Sequence, residues 1–575
     1  METVSTAWPA APGGSGADAK VKSVDEVMRN VSITRHTLED FKPLTNSLGW
    51  QLSDLLWETA GVRPFIENEV PFVVTSNGRL SEDAAAVLFA NCIDASPEGP
   101  IVVLELGAGS GLFARYFVDA FQAIAVQQGS DFGDRLVYLV SDRSARTVEH
   151  WMESRLFEHC GVRVIPGVCD ARRPAAFQPA DGSPMPADPL RAVFCNYSLD
   201  VLPASVVRQG QDGIEELSIR TSLVNDASLV AQYTRLAPTE LSDLAASDDP
   251  SKLSAFLPLV SLLQLEAAFL PSNGARPRHA DEALALVPGD ATRAIVNHGA
   301  IDCIEACTPL LSADGFVLVS DYGPVRPDQI AENAVVQRFG RTTALGINFP
   351  LLDHHFTRSG YTVLSPADDE QWPIHARLLS RRELPRTTDA FRAHFTLDAY
   401  AAREKPADEA RLHRAAGRND QALDAYRSAL ARRVHDWHLL GEVAEFVGLH
   451  LRDFASGVEL ARAAVALNPW YSCWLWNVLG DCLFCLERAD EAHEAYVQAQ
   501  RIDPRDARTN LNLSYTLFQR GAYPEALNAI ATGLAADVRG QYRETLLQKQ
   551  QQILASISAR AAAEQERMAR LPAGS

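Results

Sequence analysis

The sequence predicts a large, doubly wound α/β domain followed by an all-α repeat domain. Between residues 100 and 380, short continuous apolar segments alternate with helical patterns, which is typical of parallel strands buried on both faces. From about residue 405 the pattern is helical, alanine-rich and repetitive. We therefore expect a disordered tail over 1–22, the α/β domain over 23–400, and the repeats with a capping helix over 401–565.

Composition restricts the function classes. The 575 residues carry 53 basic and 73 acidic side chains, a formal net charge of −20, which argues against a nucleic-acid binder. Hydrophobic residues make up 47% of the chain, enough for large cores, so wholesale disorder is excluded. The nine cysteines are too scattered for a disulfide scaffold. No apolar stretch of membrane-spanning length and no leader pattern stands in the sequence, so we expect no membrane span and a cytoplasmic location.

The elements of the α/β domain follow from the apolar segments and their flanks. A helical pattern covers about 24–62, and residues 69–92 read as an extended piece, a turn at 76–78 and a helix. Further helices are predicted at 111–128 and 144–159, and a final hairpin at 361–364 and 375–380. The expected parallel strands are residues 100–106, 136–141, 162–165, 190–196 and 315–320.

More than 100 residues separate the fourth and fifth predicted strands, far more than a single crossover helix needs. Much of this region reads as helical or irregular. We expect a helical insert over about 205–300 that caps the carboxyl edge of the sheet, where inserts usually shape a substrate site. The alternative is an insert with no part in the site.

The repeats resemble the tetratricopeptide repeat, a helix-turn-helix unit of 34 residues. Small residues let the two helices of a unit approach closely, and a proline ends the second helix. About four units are expected, with a capping helix over 541–560; the alternative is a generic helical bundle. The unit with the fullest pattern carries Trp476, Leu479, Gly480, Leu483, Ala492, Tyr496, Ala499 and Pro504.

A glycine-rich turn follows the first predicted strand, in the segment LELGAGSGL (104–112). Gly107, Gly109 and Gly111 alternate there, which permits a tight turn and lets a ligand lie against the bare backbone. Dehydrogenases carry G-x-G-x-x-G in this place, whereas here the third glycine comes two residues after the second. With Glu105 before the first glycine, the segment resembles motif I of class I S-adenosylmethionine-dependent methyltransferases, so these four residues are predicted to bind that cofactor.

Two aspartates after neighbouring strands are candidate nucleoside ligands. Asp142 ends the second predicted strand, where a carboxylate can accept hydrogen bonds from both ribose hydroxyls. Asp170 follows the third strand and could meet an adenine amino group, or be a surface loop aspartate. Dehydrogenases share the first acid, so it indicates nucleoside binding without separating the two classes.

The fourth strand ends in CNYSLDVLP (195–203), and polar residues at the carboxyl end of a strand are where an open α/β sheet places its site. Asn196 offers a carbonyl acceptor and Asp200 a carboxylate, so we predict that they are catalytic. Together they could hold a nitrogen nucleophile, position it for in-line attack and take the proton that it loses. The alternative for Asp200 is the cap of a following helix.

Taken together, these segments resemble the MidA-like methyltransferases, a class I family related to a mitochondrial assembly factor of respiratory complex I. The resemblance covers roughly 45–385 and implies a seven-stranded class I methyltransferase sheet. It also implies S-adenosyl-L-methionine as cofactor, with Thr75 among the cofactor-binding residues. The matching segments are FVVTS (72–76), LELGAGSGLFARYFVDAF (104–121), SDRSARTVEHWMESRL (141–156), CNYSLDVLP (195–203) and SDYG (320–323).

The resemblance has three departures, of which the mildest is Asp142 in place of a glutamate. Asn77 stands where the family has a proline, and Tyr197 stands where it has a glutamate. That glutamate would be a natural partner of a guanidinium group, so the arginine substrate of the mitochondrial member is not carried over. Asp200, Asp321 and Tyr322 could still bind a cationic nitrogen, although Asp321 could instead hold the sheet edge together.

Three functions remain open at this point. The chain is a methyltransferase that acts on a protein or peptide recruited by the repeats, a non-catalytic cofactor-binding scaffold or assembly factor acting through its repeats, or a nicotinamide-dependent oxidoreductase, which the glycine spacing disfavours. No metal ligand is assigned. His354 and His355 are adjacent, and adjacent side chains on a helix point about 100° apart, so the two are not expected to chelate one ion.

Overall fold

The computed structural model describes residues 35–570 apart from 248, 273–275, 290–292 and 372–373. The predicted tail at 1–22 lies outside the described residues. The chain divides into two compact units. The described part of the first, the α/β unit, is 35–62 with Ser81–Ala399, and that of the second, the repeat unit, is Arg63–Leu80 with 400–570.

The described strands all belong to the α/β unit. Their bounds are β1 Arg35–Pro43, β2 Ile101–Leu106, β3 Leu136–Asp142, β4 Arg163–Val168, β5 Gln178–Pro179, β6 Leu190–Asn196, β7 Ser205–Gln209, β8 Ile214–Val224, β9 Leu263–Pro271, β10 Arg293–Val296, β11 Leu311–Asp321, β12 Gln337–Phe339, β13 Thr342–Ala344, β14 Thr362–Leu364 and β15 His375–Ser380.

The main sheet confirms the predicted fold class. Its strand order is β14-β15-β11-β6-β2-β3-β4-β5. The five predicted parallel strands form its centre, and β15 is antiparallel to both β11 and β14. This gives the predicted seven strands, and the two-residue β5 adds an antiparallel edge. All six residues of β2 are buried, as expected of a strand covered by helices on both faces.

The described helices are listed here in chain order, and none of them is both long and apolar enough to cross a membrane. In the α/β unit and its borders they are α1 Leu48–Thr59, α2 Arg63–Ile66, α3 Val73–Ser76, α4 Arg79–Ala95, α5 Leu112–Gln127, α6 Ala145–Glu153, α7 Ala227–Val230, α8 Pro238–Ala245, α9 Ala280–Leu286, α10 His298–Cys307, α11 Ile330–Asn333, α12 Phe349–Arg358 and α13 Pro385–His394. In the repeat region they are α14 Leu397–Ala415, α15 Asn419–Leu430, α16 Trp437–Glu445, α17 Phe454–Leu467, α18 Cys473–Cys485, α19 Ala489–Ile502, α20 Ala507–Gln519, α21 Tyr523–Ala536 and α22 Arg543–Ala569.

Short helices of other types complete the chain. The 3₁₀ segments are Leu44–Asn46, Pro174–Ala176, Pro250–Leu262, Thr308–Leu310, Pro327–Gln329 and Asp369–Gln371, and one π-helical turn covers Phe446–His450.

The insert is not the helical cap that the sequence predicted. Strands β7, β8, β9 and β10 form most of an antiparallel sheet in it, and β1 completes that sheet from outside the insert. The prediction of a helix throughout 24–62 is therefore also wrong over 35–43. Pairing decides these strands, because β1 pairs with β8 about 180 residues away in sequence, for example Glu39 with Thr221, and β8 pairs in turn with β9. Local periodicity cannot report such a partner.

The repeat unit contains four consecutive helix pairs, from α14/α15 to α20/α21, followed by the long helix α22. Tyr496 and the small Ala492 and Ala499 are buried between helices of the third pair. A Cβ atom added at Gly480 would lie 2.4 Å from the Tyr496 ring, so only glycine permits this approach of α18 to α19. The predicted reason for the small residues is thereby confirmed, and α22 lies where the capping helix was predicted.

The segment Arg63–Leu80 does not belong to the unit in which the predicted domain boundaries placed it. Residues Arg63–Leu80 group with the repeats, although the expected boundaries placed them in the α/β domain. Trp437 donates its indole N–H to the Ser76 carbonyl at 2.8 Å, and its ring stacks on Phe72 at 6.1 Å between centroids. A short apolar segment far from the repeats in sequence thus supplies packing for their first helices.

Candidate functional site

The glycine loop joins β2 to α5 through three left-handed residues. Gly107, Gly109 and Gly111 have φ angles of +66°, +54° and +73°, a region that residues with a Cβ avoid. Neighbouring atoms also exclude a side chain, since an added Cβ would lie 2.9 Å from the Ser198 Cβ at Gly107 and 2.7 Å from Leu156 at Gly111. Gly107 and Gly111 are therefore required by both conformation and space, and Gly109 by its conformation.

Hydrogen bonds from the neighbouring strand hold this loop in place. The Ala108 N–H donates to the Ser141 carbonyl at 2.8 Å, and the Gly109 N–H donates to the Asp142 carboxylate at 3.1 Å. On the other side, the Trp151 indole donates to the Gly109 carbonyl at 3.1 Å. The loop is thus a fixed backbone cradle at the carboxyl edge of the sheet.

Glu105 lies beneath this loop and is almost completely buried. Burial raises the pKa of its carboxyl group to about 8, against the hydrogen bond that the Tyr138 hydroxyl donates to it at 3.0 Å. At neutral pH this side chain is therefore largely protonated. The structure gives it a place under the cradle, in contact with Tyr138, at the foot of the predicted cofactor loop.

Asp142 stands at the end of β3, where the sequence placed it. Its two carboxylate oxygens accept backbone N–H groups of Gly109 and Ser144, at 3.1 and 2.9 Å. Burial raises the pKa of this carboxyl group to about 6, although both backbone hydrogen bonds lower it. Each oxygen keeps one lone pair beyond these bonds, so the carboxylate can still accept two hydroxyl groups.

Asp170, the other candidate nucleoside ligand, forms a bidentate ion pair with Arg172 at 2.7 to 3.0 Å. Burial alone would raise the pKa of its carboxyl group, but the bonds from Arg172 more than offset this and hold the pKa below its usual value. The carboxylate is therefore ionised, and an adenine amino group would share it with the guanidinium.

Besides Arg172, a second arginine lies near Asp142 and Asp170, and the sequence analysis did not single it out. Arg143, next to Asp142, pairs with Asp54 and with Glu58, the latter at 3.0 Å. Both acids lie on α1, more than 80 residues earlier in the chain. The only sequence signal was the arginine itself, because nothing local indicates which helix supplies its partners.

Unsatisfied polar side chains gather at the carboxyl ends of β6 and β11. Five side chains there have a buried polar atom without a hydrogen bond of acceptable geometry in the described part of the chain, and unpaired buried polar groups are costly and rare. Strands β6 and β11 are adjacent, with Asn196 paired to Ser320, so these groups share one edge. The atoms are Asn196 Oδ1 and Nδ2, Ser198 Oγ, Asp200 Oδ1, Ser320 Oγ and Tyr322 Oη.

The turn that carries these groups is fixed by Asp321. This aspartate is fully buried, and its carboxylate accepts the N–H groups of Leu199 at 3.2 Å and of Tyr322 at 2.9 Å. The alternative in which Asp321 holds the sheet edge together is the one that these contacts favour. No helix begins at Asp200 in the described chain, so its role as a helix cap is ruled out.

Two neighbouring carboxyl groups influence each other at this edge. Burial raises the pKa of Asp200 to about 6, and the facing Tyr322 hydroxyl opposes this rise. Burial, together with the negative charge of Asp200, raises the pKa of Asp321 well above its usual value. An ionised Asp200 therefore disfavours ionisation of the neighbouring Asp321.

Tyr197 has a left-handed backbone conformation, which is unusual for a residue other than glycine. Its φ is +50°, which costs a side-chain-bearing residue on the order of 1–2 kcal/mol. Its N–H donates to the Ser320 carbonyl at 2.9 Å, and its ring lies 6.2 Å from that of Tyr322. Two aromatic rings therefore stand at this edge, where the family pattern has a glutamate.

Thr75 is the one predicted cofactor-binding residue that lies outside the α/β unit. It stands on α3, in the segment that groups with the repeats. Its hydroxyl donates to the Phe72 carbonyl at 3.0 Å. The other predicted residues all lie at or under the carboxyl edge of the main sheet.

Comparisons with known proteins find partial likenesses only. A Burkholderia thailandensis protein solved with S-adenosyl-homocysteine bound is similar to this chain over 53% of this chain and 76% of that protein, at 15% identity and a TM-score of 0.32. The MamA protein is similar to this chain over 31% of this chain and 98% of MamA, at 16% identity and a TM-score of 0.24. No family model matches the chain.

Among curated proteins, the peroxisomal targeting signal receptor of Eremothecium gossypii is 35% identical to this chain over 83 residues. That match covers 14% of this chain and 14% of the receptor. The chain therefore spans only a small part of the length of this relative.

Proposed function

We propose that the chain is an S-adenosylmethionine-dependent methyltransferase that acts on a protein or peptide recruited by its repeats. The observation that carries the proposal is the set of unsatisfied buried polar atoms next to a glycine cradle. Such unpaired buried groups are costly, and a bound ligand that pairs with them would remove the cost. Ser198 links the two features, since it belongs to the polar set and lies against Gly107.

The cradle suits S-adenosyl-L-methionine. We assign Gly107, Gly109 and Gly111 to the backbone surface against which it lies, and Asp142 to its ribose hydroxyls through the lone pairs that remain. Asp170 would accept the adenine amino group, and Glu105 supports the loop from below. The cofactor supplies an electrophilic methyl group on a sulfonium.

Asn196 and Asp200 would handle the methyl acceptor. With a pKa of about 6, Asp200 is mostly ionised at neutral pH, so it can attract a protonated nitrogen and accept its proton. The Asn196 amide would orient the nitrogen through its free carbonyl oxygen. Tyr197 and Tyr322 could cover a cationic group with their rings, because aromatic faces attract cations.

The repeat unit would supply the substrate specificity that the edge lacks. Four helix pairs with a capping helix form an arrangement that commonly binds peptides. The repeats would raise the local concentration of one protein near the methyl-transfer site. The separate hydrophobic cores of the two units support this assignment of catalysis to one unit and substrate binding to the other.

Calorimetric titration of the purified full chain with S-adenosylmethionine, and separately with NAD, tests the cofactor. We expect saturable binding of the first and none of the second. Heat with NAD alone would favour an oxidoreductase, and no heat with either would contradict both enzymes. Asp142→Asn should weaken binding, because it removes a carboxylate oxygen that can accept the N–H of the loop residue Gly109. Asp119→Asn, on the surface of α5, is the matched control.

A labelling experiment tests the reaction itself. Proteins captured on the full chain are incubated with methyl-tritiated cofactor, and label should enter a captured protein with the wild type but not with Asp200→Asn. Cofactor binding and capture without any label would support the alternative scaffold. Labelling of small molecules alone would contradict the protein or peptide substrate.

A further inference from the structure

A cluster of histidine and glutamate side chains lies on α9, α10 and α12, away from the polar edge described above. One donor atom from each of His279, Glu282 and His355 lies within 4.8 Å of the other two. All three residues are half-buried. From these residues we infer a divalent-metal site, with zinc as the ion that it fits best.

The ligand types and their spacing support this inference. Two imidazoles and a carboxylate form a ligand set that zinc takes at about 2.0–2.2 Å from each donor atom. In a tetrahedral site the donors then stand a little over 3 Å apart, so small rotations of the side chains would close the present arrangement around an ion. Thiolates are absent from the set, which distinguishes it from a redox or iron–sulfur centre.

His279 is held in an unusual state by its surroundings. Its φ is +65°, a left-handed conformation at the residue that precedes α9. Its Nδ1 faces Glu282 Oε2 at 3.1 Å, while its Nε2 is buried without a hydrogen-bond partner among the described atoms. A metal ion would satisfy this nitrogen and would account for the strain at the position.

Two further residues complete the surroundings of the cluster. His355 Nε2 contacts Glu305 Oε1 at 2.9 Å, the carboxylate–histidine contact that orients a metal-bound imidazole and leaves its Nδ1 for the ion. His354 Nε2 lies 3.4 Å from Glu282 Oε1, so it can serve as a further ligand or as a partner of that carboxylate. The two glutamates give the site the negative charge that a divalent cation requires.

Position in the fold indicates a structural role. Helices α10 and α12 precede parallel strands of the main sheet and run opposite to them, so Glu305 and His355, near their carboxyl ends, face the amino edge. The candidate methyl-transfer site lies at the carboxyl edge. An ion here would tie the insert helix α9 to α12, which already contact each other, and would take no part in methyl transfer.

Zinc titration of the full chain, first freed of metal with a chelator, tests the site. We expect one zinc equivalent to bind and the thermal midpoint to rise, since a ligand of the native state stabilises it. The double variant His279→Ala/His355→Ala should lose this binding and the shift of the midpoint. His159→Ala, which removes an exposed imidazole elsewhere in the same unit, should keep both.

Two conservative variants keep the test decisive if the double variant does not fold. Glu282→Gln retains the shape of the side chain and should abolish stoichiometric binding. Glu305→Gln should weaken it by about 10–100-fold, the usual effect of a residue that orients a ligand. Absence of zinc binding to the wild type, or equal affinity in wild type and Glu282→Gln, would overturn the inference.

Discussion

Two polar clusters, one in each unit, differ in how far their hydrogen bonds are satisfied. In the repeat unit, the Asp481 carboxylate accepts hydrogen bonds from Tyr496 at 2.8 Å, Arg508 at 2.6 Å and Asn512 at 2.9 Å. At the carboxyl edge of the α/β unit, Asn196 and Asp200 have buried atoms without such partners. A satisfied network stabilises one native structure, whereas unsatisfied groups remain available to a ligand.

The glycines of the two units differ in the same instructive way. Gly107, Gly109 and Gly111 have left-handed backbone that a side chain would strain. Gly480 lies inside α18 with ordinary helical geometry, and it is required because the Tyr496 ring would contact any Cβ. One residue type therefore permits left-handed backbone in one unit and close approach of two helices in the other.

Replacement of the site aspartate should give the largest effect on function. Asp200→Asn removes the proposed base, so the rate of methyl transfer should fall by about 10²–10⁴-fold while cofactor affinity stays within a factor of two or so. Its free energy of unfolding should stay the same or rise, because a costly buried carboxylate is removed. Rates from label transfer and urea denaturation measure the two effects, and a destabilised variant would show that Asp200 is structural.

A glycine pair tests the second contrast. Gly111→Ala forces a Cβ to 2.7 Å from Leu156 in left-handed backbone, so S-adenosylmethionine binding should fall at least about tenfold, which corresponds to 1.4 kcal/mol. Gly480→Ala should leave that affinity unchanged and destabilise the repeats by about 1–3 kcal/mol through overpacking. Calorimetry and urea denaturation measure the two quantities.

The control for the repeat glycine is Gly533→Ala, where an added Cβ would lie 3.1 Å from a flexible leucine tip, Leu546 Cδ2, and 3.3 Å from Asn510 Cβ. Its penalty should be much smaller than that of Gly480→Ala. Equal penalties would show that loss of close approach does not explain the effect.

The matching aspartate in the repeats should affect stability and not binding. Asp481→Asn weakens the charge-assisted bond to Arg508 and should lower the free energy of unfolding by about 1.5–3 kcal/mol. S-adenosylmethionine affinity should remain that of the wild type. A loss of cofactor affinity in this variant would contradict the separation of roles between the units.

The dependence of the methyl-transfer rate and of stability on pH should give the smallest effect, and it tests Asp200. The folded pKa of Asp200, at about 6, lies above the value of an exposed carboxyl group. Ionised Asp200 is needed for catalysis, so the rate should fall as pH is lowered through about 6. The same burial costs stability as pH rises from about 4 to 6, and Asp200→Asn should remove that part of the slope. A rate profile that is flat between pH 5 and 7 would contradict the role of this residue as the base.

Sequence reasoning reached the elements whose signal is local. The five parallel strands, the glycine loop, the final hairpin and the helix pairs all follow from apolar periodicity and glycine spacing within a few residues. It failed where a partner decides the structure. Strands β1 and β8 form through pairing between distant segments, and the structural role of Asp321 depends on the N–H of Leu199, more than 100 residues earlier.

The cluster of histidine and glutamate side chains shows the same limit of sequence-based prediction. The adjacency of His354 and His355 argued against joint chelation, but His355 meets His279 and Glu282 from a helix about 70 residues earlier. The sequence by itself determined the parallel strands of the main sheet and the helices between them, the backbone freedom of the glycine loop and the presence of the repeats, because these depend on neighbouring residues. Only the tertiary structure decided the antiparallel sheet, the unsatisfied polar edge and the histidine cluster, because each depends on side chains that folding brings together from distant parts of the chain.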